Sequence, residues 1–243
     1  MATYKGIQGY TVQKLSSDPT ASEAEGQLWY NSTTGAFKIG TASAGAWSSG
    51  GGLNTERGQA ASAGTQTAAL FFAGEPPAPT KSDLTEKYDG TTWSETNDLL
   101  TTRYYPGGAG TQTAALCISG QRPPGGTNIT DSETWNGTSW TEVSNLNTAR
   151  GQCGASGTKA LALVYGGTPE SDPTPTSAKA ESWDGTSWTE VGDLATAATA
   201  VSGSPAGTSL LALKTGGTPQ TSSQASTEEW TEPVYTIKTV TVS

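Results

Sequence analysis

The sequence predicts an all-β fold in which one four-stranded unit is repeated about four times. Three observations predict it. The composition is that of strands and turns: of 243 residues, 31 are Gly and 41 are Thr, and only 14% are charged, whereas helical proteins carry more Glu, Lys and Leu. The phrase Asp/Asn-Gly-Thr-Ser/Thr-Trp closes three segments, YDGTTW at 88–93, WNGTSW at 135–140 and WDGTSW at 183–188. An apolar run ending in small residues recurs as GTQTAALFFAG from Gly64, GTQTAALCISG from Gly110, GTKALALVYGG from Gly157 and GTSLLALKTGG from Gly207. The shared period is 46–50 residues, and four short antiparallel strands at that period are the sequence form of a β-propeller blade.

Residues 1–46 stand outside the repeat. The opening MATYKGIQGYTVQ has no apolar core and does not read as a secretory signal. No apolar stretch in the chain approaches the roughly 18 residues that span a bilayer. SSDPTAS has the composition of a linker. EGQLWYNSTTGAFKI reads as a hairpin, with polar turn residues Asn31 to Gly35 between aromatic strands.

Within each unit of 47–230, the first strand is small and Gly/Ala-rich: GQAASAG, YYPGGAG, GQCGASG and TAVSGSPAG. Innermost strands crowd a propeller axis, where only small side chains permit close approach. The apolar run is the second strand. The third ends at an aromatic, Tyr88, Trp135, Trp183 or Trp230, and the fourth carries Trp93, Trp140 or Trp188, with an earlier outlier at Trp47. Those Trp residues are expected to fill the wedge between blades. Asp-Gly or Asn-Gly before the fourth strand predicts a two-residue type I′ turn, with positive φ at both central residues. The last unit lacks its fourth strand. Its simplest completion is GAWSSGG around Trp47, which removes the exposed edges; VYTIKTVTVS after Pro233 or a neighbouring subunit are the alternatives. On this reading 1–46 is one segment, 47–230 the propeller and 231–243 a C-terminal strand.

The residue inventory removes several chemistries. There is no His, so the Ser-His-Asp triad, the Cys-His dyad and His-bound zinc or copper are impossible. Cys117 and Cys153 are too few for a zinc site or a disulfide framework and are expected as free thiols buried in strands. The net charge of −9, without Lys/Arg runs, is a poor match to nucleic acid. No cofactor is implied.

Two groups of residues are candidates for ligand binding. The motif Leu-x-Thr-x-Arg places Arg57, Arg103 and Arg150 at equivalent points of successive units, with Ala198 in the fourth. A ring of guanidiniums near an axial opening would bind an anionic sugar or a carboxylate by paired hydrogen bonds; alternatively each arginine pairs with acids or carbonyls of its neighbouring blade. The segments after the Gly-Gly positions differ most between units, which suits a recognition surface. They contribute Lys81, Arg122, Asn128, Glu170 and Asp172. Acids such as Asp83 and Asp131 are expected to be solubilising. Asn31, Asn128 and Asn136 match glycosylation sequons.

The apolar run, the Gly-Gly of 166–167 and 216–217 and the spaced aromatics ending in Trp resemble a Kelch repeat over about residues 47 to 230. The phrases WNGTSWTEV, LNTAR and GTQTAALxxxGG resemble repeats of predicted tail-fibre or virion proteins of marine bacteriophages. Gly26, Leu28, Trp29, Tyr30, Asn31, Phe37 and Trp47 match a short tail-fibre motif. The resemblance implies a Kelch-like β-propeller of about four blades, with residues 1–46 as an attachment segment. It implies a non-enzymatic virion protein, a tail or capsid fibre made in the bacterial host cytoplasm. Its partners would be other virion proteins and a host surface glycan or receptor, and the subunits would form a homo-oligomer, by analogy a trimer, whose many copies supply avidity. The Kelch-like copper oxidases need His ligands, so that activity does not carry over. The YDGTTW and WDGTSW turns resemble the Asp-box of sialidases, which is structural there too. A structural decoration or adaptor protein, a tail-borne polysaccharide-degrading enzyme and a cellular Kelch adaptor are the competing readings.

Overall fold

The structure is a computed structural model that describes residues 12–20, 23, 27–40, 46–77, 83–169, 176–203, 208–218 and 225–232. The fold is all-β. The chain forms two compact units, Met1–Ser49 and Gly50–Ser243.

In the first unit, β1 (Gln13–Leu15) runs parallel to β2 (Leu28–Asn31), which pairs antiparallel with β3 (Ala36–Ile39). The hairpin expected from EGQLWYNSTTGAFKI is β2–β3. Alternation places Trp29 and Asn31 on one face and Leu28, Tyr30, Phe37 and Ile39 on the other. Asp18 fixes the first face, accepting from Trp29 Nε1 at 3.0 Å, from Asn31 Nδ2 at 2.7 Å and from Lys38 Nζ. Those bonds, Lys38 foremost, hold the Asp18 carboxyl down at about 2.

Among the described residues the second unit contains four successive main sheets. The first is β4 (Ala61–Thr65), β5 (Ala68–Phe72), β6 (Thr85–Tyr88) and β7 (Trp93–Glu95). The second begins with β8 (Gly107–Thr111) and β9 (Ala114–Ile118). A small hairpin of β10 (Gln121–Arg122) and β11 (Thr127–Asn128) follows, and β12 (Ser132–Trp135) and β13 (Trp140–Val143) complete the sheet. In the third, β14 (Arg150–Gly151) precedes β15 (Gly154–Gly157) and β16 (Ala162–Tyr165); β17 (Thr168–Pro169) pairs back with β14, and β18 (Ala180–Trp183) and β19 (Trp188–Glu190) follow. The fourth has three strands among the described residues, β20 (Ser202–Gly203), β21 (Leu211–Thr215) and β22 (Thr227–Thr231). Main strands pair antiparallel in chain order, as the repeat predicts.

The first strands of successive sheets lie side by side, β4 by β8, β8 by β15 and β15 by β20. Their small residues answer to that closeness: a Cβ on Gly108 would stand 2.9 Å from the Ala61 Cβ. Apolar layers separate the sheets. Leu70 and Phe72 of the first meet Ala115, Cys117, Trp135 and Trp140 of the second. Leu116 and Ile118 meet Val164, Trp183 and Trp188 of the third. Leu163 and Tyr165 meet Ala212 and Trp230 of the fourth. The head aromatic and the fourth-strand Trp are direct cross-strand partners, with ring centroids 4.9 Å apart for Tyr88–Trp93 and 5.3 Å for Trp135–Trp140 and Trp183–Trp188.

Backbone hydrogen bonds join the sheets in two repeating series. Gly74, Gly120 and Gly167 donate to the carbonyls of Arg103, Arg150 and Ala198 in the following unit, at 3.0, 3.0 and 2.8 Å. Nearer the first strands, Tyr105 donates to Gln59 at 2.7 Å, Gln152 to Tyr105 at 3.0 Å and Ala200 to Gln152 at 3.0 Å. These four residues, each two after the Arg position, share a left-handed backbone with φ of 52–58°.

The same geometry explains the Gly-Gly position. Its first residue has φ near 60° at Ala73, Ser119, Gly166 and Gly216; its second has φ of 95–115° at Gly74, Gly120, Gly167 and Gly217. A residue with a Cβ reaches the first conformation at modest cost, but the second is open to Gly alone.

Two expectations are corrected. The Asp-Gly and Asn-Gly turns are not two-residue type I′ turns. Tyr88 pairs with Trp93, which leaves the four-residue loop 89–92, and only the Gly has positive φ. The Asp89 carboxylate accepts the N–H groups of Thr91 and Thr92, both at 2.8 Å, and these bonds hold its pKa below the ordinary value. The Asn136 amide oxygen and the Asp184 carboxylate accept the equivalent N–H groups in their sheets. Nor does Trp47 lie in a strand: it is fully exposed. Among the described residues no closed ring is present, because no hydrogen bond links Gln59 to Ala200. The segment 234–243, the other proposed closing strand, lies outside the described residues. Cys117 is free and buried in β9 as expected, whereas Cys153, also free and buried, lies just before β15. Burial pushes the two thiols up to about 12 and about 11.

Candidate functional site

Each Leu-x-Thr-x-Arg segment ends in a clasp. Arg103 has no exposed surface. Its Nη2 donates to Glu133 Oε1 on β12 at 2.5 Å, its Nη1 to the carbonyls of Ser119 and Asp131, and its Nε to that of Thr101. Arg150 is bound to Glu181 at 2.7 Å and to the carbonyls of Thr148, Gly166 and Lys179. Arg57 pairs with Glu86 and with the carbonyls of Thr55, Phe71 and Ala73, and stacks over the Phe71 ring at 4.8 Å. The acid belongs to the arginine's own sheet, not to a neighbouring one.

Each acid in turn accepts from the loop that carries the arginine. Glu86 takes the N–H of Asn54, Glu133 those of Leu100 and Thr101, and Glu181 those of Asn147 and Thr148. Burial pushes the Glu86 carboxyl up, but the bonds from Arg57 and Asn54 outweigh it and hold the group below its ordinary value. Each of the three guanidiniums thus spends four of its five N–H donors on internal acceptors.

The other sequence candidates scatter. Lys81, Glu170 and Asp172 lie outside the described residues. Arg122 is half-exposed on the β10–β11 hairpin and pairs with Asp131 at 2.9 Å. Asn128 is buried and donates to the Thr168 carbonyl at 2.7 Å, which ties the second unit's loop to β17 of the third.

What does gather is a set that the sequence reading absorbed into strands. The residue after each Arg position pairs with the residue after the Gly-Gly: Gly58 with Glu75, Tyr104 with Gln121, Gly151 with Thr168 and Thr199 with Thr218. All four variable segments thus leave from one end of the sheets, where the left-handed residues stand. Tyr104 and Tyr105 are partly exposed there, their rings 5.4 Å apart at 57°. Burial, then the nearby Glu75 and Tyr105, raise the Tyr104 pKa, so its phenol keeps its proton. Gln59 and Glu75 line a shallow recess of about 600 Å³ with Pro76 and Pro77. Thr199 donates to Gln152 Oε1 and shares a hydrogen bond of 2.8 Å with Thr168. The surface thus offers two aromatic rings flanked by amides, hydroxyls and one carboxylate. The signal in the sequence was the Tyr-Tyr pair directly after an Arg that itself turns inward.

The interface between the third and fourth sheets departs from the pattern. A cavity of about 70 Å³ is lined there by Leu163, Tyr165, Ala180, Leu194, Lys214 and Trp230, among others. In the first interface the corresponding space holds Trp140, which packs on Phe72 with ring centroids 4.9 Å apart and donates to Thr85 Oγ1 at 3.0 Å. Among the described residues no cluster of His, Cys, Asp or Glu has the arrangement of a metal site, and no helix is long and apolar enough to cross a membrane.

Comparison of the chain with protein-family models and with curated proteins gave no match.

Proposed function

We propose that the protein is a non-enzymatic subunit of a bacteriophage particle, a tail or capsid fibre, and that it binds a glycan of the host surface through the face around Tyr104 and Tyr105. The phage assignment rests on the resemblance of the WNGTSWTEV and LNTAR repeats. The observation that carries the binding role is the pair of partly exposed tyrosines, Tyr105 on a left-handed turn, flanked by Gln59, Glu75, Gln121 and Gln152. Aromatic rings supply a flat apolar surface for a sugar face, and amides and a carboxylate take its hydroxyls. The sheets supply rigidity, and the segments that begin at this face supply variation. In this reading the sheets are blades of a Kelch-like propeller. The N-terminal unit attaches the subunit to other virion proteins through the row of exposed Leu28, Phe37 and Ile39 with half-buried Tyr30.

The test is adsorption competition between the purified protein and the phage that carries it. Saturating protein is expected to block adsorption, and Tyr104→Ala, checked for fold by circular dichroism, is expected to lose that effect. Folded wild-type protein that leaves adsorption unchanged overturns the reading in favour of a decoration or adaptor role.

A further inference from the structure

The first repeat unit is preceded by a marker that the fourth lacks among the described residues. Trp47 stands ten residues before Arg57, as Trp93, Trp140 and Trp188 stand ten before Arg103, Arg150 and Ala198. By this spacing Trp47 is a fourth-strand Trp with no unit of the repeat before it. The fourth sheet, conversely, has no fourth strand among the described residues, and a cavity of about 70 Å³ marks the place where the first interface holds Trp140.

The hydrogen-bond series end in the same complementary way. Among the described residues each series has three members. Among the described residues, the Gln59 N–H and the Arg57 carbonyl at the head have no hydrogen bond, and neither do the Ala200 carbonyl and the Gly217 N–H at the tail. These are the missing halves of one further repeat: Gln59 N–H matches the Ala200 carbonyl, and Gly217 N–H matches the Arg57 carbonyl. The apolar faces follow suit. Phe71, Tyr88 and Trp93 are only half-buried, whereas their counterparts Cys117, Trp135 and Trp140 are buried. Leu213 is half-buried where Leu70, Leu116 and Leu163 are sealed.

We infer that a second copy of this chain docks head to tail, its 46–95 segment continuing the series on the fourth sheet of the first copy. The incoming Trp47 enters the cavity beside Ala180, and the incoming first sheet covers Leu213. The contact repeats an interface that the chain already builds three times within itself, and a second copy is the partner guaranteed to carry its other half. Such a heterologous contact closes into a ring or extends into a fibre, according to the rotation per sheet. The inference is independent of what the Tyr104–Tyr105 face binds.

Sedimentation velocity on the full chain over a range of concentrations tests it. Wild-type protein is expected as assemblies of two or more copies. Trp47→Glu removes the head contact at a fully exposed residue, and Leu213→Glu removes the tail contact. Each is expected to weaken association about thirtyfold or more, the scale of a central Trp anchor. Mixed in equal amounts, the two variants are expected to form a species of two copies and nothing larger, because one intact head meets one intact tail. Circular dichroism and tryptophan fluorescence confirm that each variant folds. A wild type that stays a single copy up to its solubility limit overturns the inference in favour of closure within one chain. Assembly of Trp47→Glu as in wild type, or a mixture with no two-copy species, overturns it as well.

Discussion

Lys214 lies 3.6 Å from Glu228, in the one sheet whose arginine position holds Ala198. Glu228 stands on β22 where Glu86, Glu133 and Glu181 stand on β6, β12 and β18, and like them it accepts a loop N–H, that of Ala195 at 2.6 Å. The cation has moved to the second strand, where the other sheets carry Phe71, Cys117 and Val164. Moving it back is the direct check. Lys214→Val alone is expected to cost about 1–3 kcal/mol, since it strands a partly buried carboxylate. Adding Ala198→Arg is expected to recover most of that loss, as read from urea unfolding midpoints.

The arginine clasp predicts a large single-site effect. Arg103→Met is expected to destabilise the protein by about 3–5 kcal/mol, because Glu133 is left buried and uncompensated. Arg103→Lys is expected to recover only part of it, since one ammonium cannot reach the carboxylate and three separate carbonyls. Equal stability of the methionine variant and wild type in denaturant titrations would refute the clasp.

A smaller gain is available between the second and third sheets. Trp140 donates to Thr85 Oγ1, but the equivalent Trp188 Nε1 and Ser132 Oγ are both buried without partners. Ser132→Thr adds the methyl that fixes the hydroxyl rotamer and is expected to stabilise by about 1 kcal/mol through the restored bond. Thermal unfolding of the variant reads this out.

The N-terminal unit carries its own pH dependence. Asp18 is held at about 2 when folded, against an ordinary value of about 4. A depressed carboxylate contributes its stability above the ordinary value and loses it as pH falls through the folded one. The anchoring of Trp29 is therefore expected to weaken between about pH 4 and about pH 2, followed by the Trp29 indole N–H resonance. Asp18→Asn is expected to show the weakened state at neutral pH.

Much of this architecture was legible in the sequence because each signal was local. The Gly-Gly pair marked a backbone that needs positive φ, and the aromatics marked cross-strand pairs. That Arg57, Arg103 and Arg150 pair with acids and carbonyls was one of two readings the sequence offered; that the acid lies in the arginine's own sheet was not legible. An arginine on a turn reads as exposed until its acid partner, some thirty residues away on the third strand, is brought beneath it. The Asp-Gly turns misled for a related reason: the dipeptide fits a two-residue loop, but the Asp89 side chain supplies bonds that favour four. Tyr104 and Tyr105 were absorbed into a strand because the left-handed turn at Tyr105 has no residue signature; Gln, Tyr and Ala fill it equally.

Every clasp draws its arginine, its carboxylate and its accepting carbonyls from a single stretch of about thirty residues. Even the exception, Lys214 with Glu228, is solved within its own unit. A gene that lost or gained one whole unit by unequal crossing-over would encode a chain in which every buried charge still finds its partner. The number of sheets is thus a quantity that recombination can change without a compensating mutation.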